Sequence, residues 1–119
     1  MQRKLLHFYR EAWFFAPDLT AVKERFCRFG TLFEQSLTNM QISGMLIALT
    51  PRYWVHFEAY QEALRMFSEL AAGGAAVTLA QFRTAAGISR KYSQLFLEYW
   101  DRRGITRRVG DAHILNRQS

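Results

Sequence analysis

Ser89, Arg90 and Lys91 follow Gly87 closely and precede a run of helical character, so a hydroxyl and two cations coincide with a helix start. Such a start presents backbone N–H groups and the positive end of the helix dipole, the ingredients of a phosphate site. Arg90 adds a planar fork of donors suited to a guanine edge or to stacking on an unpaired base. Arg107 and Arg108 are neighbours on a strand-like run, so their side chains point to opposite faces and only one meets a given partner directly. Arg83, and Gln94 one turn beyond Arg90, are further candidates for sugar or backbone contacts. Tyr92 could stack on a base, but its place in an apolar stripe argues for the core.

Other chemistries find little support. His7, His56 and His113 lack metal-ligand spacing, and Cys27, the single cysteine, excludes an internal disulfide and any multi-cysteine zinc site. No neighbour activates that thiol, and no paired carboxylates stand in a glycine-bounded turn, so the chain is not read as an enzyme. A phosphate-cradling G-x-x-x-x-G-K-[ST] loop is absent. The chain is expected to need no cofactor and no metal.

The elements that must position these residues are clearest in the second half. From Phe57 to Ala72 the apolar residues Tyr60, Ala63, Leu64, Phe67, Leu70 and Ala71 recur at helical spacing, and Gly73 and Gly74 end the run. Ala75 to Val77 is a short apolar piece able to pair with a sheet edge. Thr78 and Gln81 have the spacing of a capping box, which starts a second helix near Leu79, and Gly87 closes it. Ser89 caps a third helix with an apolar stripe of Tyr92, Leu95, Phe96, Tyr99 and Trp100. Gly104 ends that helix, and Gly110 and Asp111 form a tight turn between residues 105–109 and 112–115, predicting a β-hairpin.

Helix, short strand, helix, helix and hairpin is the order of a winged helix, a helix-turn-helix variant whose third helix and wing often meet nucleic acid. The first half offers a looser version: helices over 3–14, 19–29 and 31–40, then residues 45–49 and 53–57 flanking a Thr50-Pro51-Arg52 turn. The predicted fold class is mostly α with small β-hairpins (α+β), as two tandem winged-helix domains, residues 1–58 and 59–119.

Composition agrees with this division. Half of the 119 residues are apolar, enough for one ordinary core or two small ones. The net charge of +6 favours an anionic partner. Eight basic residues face three acidic ones between Arg83 and Arg117, whereas Arg3, Lys4, Lys23, Arg25 and Arg28 are scattered among Glu11, Asp18, Glu24 and Glu34 and read as surface. Arg10 and Glu11 interrupt any secretory signal, and no run approaches the ~18 apolar residues of a membrane span, so a soluble cytoplasmic protein without a membrane partner is expected.

The segment VTLAQFRTAAGISRKYSQLFLEYWDRRGITRRVGD, from Val77 to Asp111, resembles the last winged-helix module of the bacterial selenocysteine-specific elongation factors, the SelB family. The resemblance rests on Thr78, Phe82, Arg83, on Gly87 with Ser89-Arg90-Lys91-Tyr92, and on Leu97-Glu98-Tyr99, Asp101, Arg102, Gly104, Thr106-Arg107-Arg108 and Gly110-Asp111. It covers about a third of the chain; residues 1–76 fit the preceding module, a third-type winged helix, by architecture alone. The resemblance implies an RNA-binding fragment, a monomer that grips the SECIS hairpin of a selenoprotein mRNA and so directs selenocysteine incorporation at UGA. It further implies a parent with a GTPase portion that uses GTP and Mg and meets selenocysteinyl-tRNA and the ribosome. His113 falls where the family's wing is commonly basic, which adds it to the expected RNA contacts, and Ile88 replaces a frequent small hydroxyl residue.

The rival is a winged-helix transcription regulator that binds duplex DNA, which fold and charge support equally and only the family motif opposes. Such regulators usually dimerise on paired half-sites, so a stable dimer would favour this rival.

Overall fold

The computed structural model describes residues 1–116, so Arg117 lies outside the described residues. The chain divides into two compact units, Met1–Tyr60 and Gln61–Ser119.

In the first unit, α1 (Gln2–Ala12) turns Leu5 and Tyr9 inward, and a short 3-10 turn follows at Trp13–Phe15. Pro17 cannot continue the helix, and Asp18 caps α2 (Leu19–Arg25) by accepting a 2.8 Å hydrogen bond from the Thr20 N–H. That bond, aided by Arg52, holds the Asp18 carboxyl below its ordinary range. Gly30, with φ 54°, starts α3 (Thr31–Ile42). β1 (Leu46–Ala48) pairs antiparallel with β2 (Trp54–His56), with Ile47 opposite Val55. The Thr50 hydroxyl accepts from the N–H groups of Arg52 and Tyr53, and the Trp54 indole donates to the Pro51 carbonyl at 3.0 Å, so side chains rather than glycine shape this turn. Leu5, Tyr9, Val22, Phe33, Leu46 and Trp54 meet in one core.

The second unit takes most of α4 (Phe57–Leu70), then β3 (Val77–Thr78), α5 (Leu79–Ala86), α6 (Arg90–Arg102), β4 (Thr106–Val109) and β5 (Ala112–Leu115). Its three strands lie in the order β3-β5-β4, all antiparallel. Both halves of the capping box form, Gln81 N–H to Thr78 Oγ1 at 3.2 Å and Thr78 N–H to Gln81 Oε1 at 2.9 Å. Gly87 adopts the left-handed conformation at φ 66° that ends α5, and three residues later α6 begins. The core is a cluster of rings: Phe67 lies 5.8 Å from Phe82 and 5.3 Å from Trp100, and Phe96 lies 5.5 Å from Trp100.

The mostly helical winged-helix fold expected from sequence is present. The helix expected over 3–14 ends at Ala12 and the one over 19–29 at Arg25, each giving way to a 3-10 turn. Two further differences lie in the second unit. The short strand is Val77–Thr78 rather than 75–77, because only those residues face β5, and Ala75 and Ala76 are exposed. The buried face of α6 is Tyr92, Ser93, Phe96, Leu97 and Trp100, while Leu95 and Tyr99 are half-exposed. Ser93 enters the core without penalty because its hydroxyl donates to the Ser89 carbonyl at 2.9 Å.

His56 is buried, and its Nδ1 accepts from the Glu58 N–H at 3.0 Å. Burial pushes its pKa below 6.5, with Arg10 acting the same way and Glu58 opposing. The fold thus prefers the neutral ring: this stabilisation is complete above pH 6.5 and lost as pH falls through the folded-state value. Calorimetry from pH 7.5 to 5 is expected to show a falling melting temperature for the first unit, and His56→Gln should flatten that dependence. Thr78→Ala should cost the second unit about 1 kcal/mol in urea unfolding.

Candidate nucleic-acid interface

Helix α6 is built to present its first turn. The Ser89 hydroxyl accepts from the Tyr92 N–H at 3.2 Å, so its oxygen closes the helix end while its carbonyl accepts from Ser93. Arg90 and Lys91, the next two residues, are exposed, and buried Tyr92 and Ser93 anchor the turn beneath them. Arg90, Lys91 and Gln94 border one open depression with Leu95 and Glu98. Gln94 donates to Glu98 at 3.0 Å, which fixes its amide along the rim. The helix dipole favours an anion at this end, and the two cations add to it. Glu98 stands a turn further along and bounds the positive region.

The wing presents the other two arginines on different faces. Thr106 opens β4 with its side chain inward, so alternation puts Arg108 on the same side and Arg107 with Val109 on the other. Arg108 donates from Nε to the Gly110 carbonyl at 3.0 Å and braces the turn, whose Gly110 has φ 63°. Among the described residues neither Arg90 nor Arg107 has an ion-pair partner. Arg83 is exposed on α5 and is not among the residues that line the depression.

His113 is placed unlike the wing contact expected for it. It is only 7% exposed and turns Nδ1 toward the Asp101 carboxylate, 3.0 Å from Oδ2. It occupies β5 opposite Val77 on one side and Arg108 on the other, on the inner face of the sheet. The Thr106 hydroxyl donates to the same carboxylate, to Oδ1 at 2.6 Å. Asp101 therefore ties α6 to both wing strands, a positioning role that spacing alone did not suggest. The Asn116 amide reinforces the junction by donating to the carbonyls of Gly104 at 2.8 Å and Thr106 at 3.2 Å. Leu95, expected in the core, instead lines the depression; its position beside three polar residues on the helix surface was the available signal.

Among the described residues no group of His, Cys, Asp and Glu is placed to hold a metal ion, and no helix is long and apolar enough to cross a membrane.

Residues 69–115 match the family model described as elongation factor SelB, winged helix. A solved structure of the mRNA-binding domain of elongation factor SelB from E. coli in complex with SECIS RNA is similar to this chain. The identity is 29%, the TM-score 0.64, and the match covers 70% of this chain and 69% of that one. That share exceeds what the second unit alone contains, so the likeness reaches into the first. A bacterial selenocysteine-specific elongation factor, EF-Sec, shares the fold at a TM-score of 0.64 and 24% identity; the match covers 71% of this chain and 14% of that one. No curated protein matches the chain.

Removing the carboxylate leaves the buried Thr106 hydroxyl and His113 ring without their acceptor. Asp101→Ala is expected to destabilise the second unit by about 1–3 kcal/mol, read by denaturant unfolding.

Proposed function

We propose, from the match of residues 69–115 to the SelB winged-helix model, that this chain grips a SECIS-type mRNA hairpin as the message-reading end of a selenocysteine-specific elongation factor. The observation that carries this reading is the gathering of Arg90, Lys91 and Gln94 on the exposed first turns of α6. The E. coli SelB domain similar to this chain is one whose structure includes SECIS RNA, which supports the choice of RNA over duplex DNA.

Lys91 and the α6 N-terminus hold a backbone phosphate, and Arg90 reaches an unpaired loop base, by a bidentate contact or by stacking. Gln94 contacts the adjacent sugar or phosphate. Arg107, outward on β4, meets the backbone of the stem, while Arg108 shapes the wing through its bond to Gly110. Arg83 is a peripheral phosphate contact. The fragment acts as a monomer and performs no catalysis. GTP with Mg, selenocysteinyl-tRNA and the ribosome belong to the cytoplasmic parent protein, where hairpin capture places the factor at a UGA codon.

A fluorescence-anisotropy titration against a SECIS-type hairpin, a loop-scrambled hairpin of equal charge and duplex DNA tests this. The native hairpin is expected to bind at least ~10-fold tighter than either control, a margin of about 1.4 kcal/mol, and Arg90→Ala should remove it. Arg107→Ala should weaken both hairpins alike and lower the salt slope by about 0.7–0.9. Equal affinity for all three nucleic acids would falsify the loop-reading role.

A further inference from the structure

We infer that the first unit carries a second site, a cleft that takes an unpaired nucleotide of single-stranded RNA. The cleft has a volume of about 670 Å³ and lies between α1 and the end of α2, within the size range of small-ligand sites. Cations that look scattered along the sequence meet there: Lys4 from α1 and Arg25 from α2 line it together with the imidazole of His7. Glu11 is the one carboxylate in its lining.

Its walls are aromatic. The Arg25 guanidinium sits 5.3 Å over the Phe8 ring, and Phe8 is held edge-on against Phe26 at 5.6 Å. Phe15 is 62% exposed at the mouth, whereas its neighbour Phe14 is buried. The turn that divides them starts at Trp13, whose φ of 52° is the one positive value at a non-glycine residue among the described residues. An L side chain rarely adopts this conformation, and such outliers cluster at binding sites.

Aromatic faces beside cations are how proteins hold single strands: the ring stacks on a base and the cations take the phosphates. A nucleotide supplies both a flat π face, for Phe15, and an anion, for Lys4 and Arg25. A free phosphate would leave the rings unused, and an apolar peptide would bury the cations without partners. The site is separate from α6, so it stands whether or not the hairpin reading does.

The test uses the 119-residue chain with two probes, fluorescein-labelled single-stranded octa-adenylate RNA and the SECIS-type hairpin. Phe15→Ala and Arg25→Gln are both surface changes. Each is expected to weaken octa-adenylate binding at least ~5-fold, within the range of stacking losses, with hairpin affinity and circular dichroism unchanged. Arg90→Ala should give the opposite pattern, which separates failure here from failure of the hairpin reading. Unaltered octa-adenylate affinity in both cleft variants overturns the proposal. So does displacement of the oligonucleotide by an equal concentration of an alternating Glu-Phe peptide, which would assign the cleft to a protein partner.

Discussion

The carboxylate of Asp101 sets where the wing stands relative to the helix that precedes it. It receives the Thr106 hydroxyl from one strand and the His113 ring from the next, and both of those groups are nearly sealed from water. Two polar groups inside so small a unit are tolerated only when each has a partner, and a single acceptor serves both. Trp100, the adjacent residue, is fully buried among the rings of Phe67, Phe82 and Phe96. One turn of α6 therefore anchors the helix in the core and fixes the hairpin to it. The exposed cations at the opposite end of α6 and the arginines on β4 inherit a common frame from that turn.

Aromatic volume makes this possible at the scale of about sixty residues. A small domain buries a modest share of its surface, so each core side chain must remove much area from water. Ring packing in the second unit does so with few residues, and the first unit repeats the strategy with Phe8, Phe26, Phe29 and Phe33, where Phe26 stacks on Phe33 at 6.1 Å. The polar capping groups then end the helices where the rings stop. Thr78 with Gln81, Ser89 and Asp18 each satisfy N–H groups that a helix start leaves without a backbone partner.

What could be read from the sequence follows from the range of the interaction. Caps, glycine stops and the Gly110-Asp111 turn act within four residues, and the helices and wing they predict are present. The capping box at Thr78 was visible as a spacing and forms as a pair of bonds. Features decided by pairing between distant segments were not visible. His113 looked like one more basic wing residue until β5 was set beside β3 and its ring met Asp101, twelve residues earlier. The α6 stripe differs for another reason: Ser93 reads as polar, yet a local bond to the Ser89 carbonyl satisfies its hydroxyl and allows it to lie buried, while Leu95 is half-exposed. In the first unit, Lys4 and Arg25 are far apart in sequence, and only the packing of α1 on α2 gathers them.

The second unit holds nine basic residues against five acidic ones, and its acidic residues are largely occupied. On α4, Arg65 lies between Glu62 and Glu69 and bonds to both, which lowers the Glu62 pKa and raises its own. Asp101 faces inward to the wing, and Glu98 is bonded to Gln94. The field that an approaching polyanion feels at a distance follows the net charge of the unit, which is positive because its basic residues outnumber its acidic ones. Such a surface acts before contact: it biases the orientation of diffusional encounters and raises the association rate, an advantage that counterions erode as the Debye length shrinks. Arg65, remote from the α6 depression in the chain, contributes by offsetting one of the two glutamate charges it is bonded to, which would otherwise weaken that field.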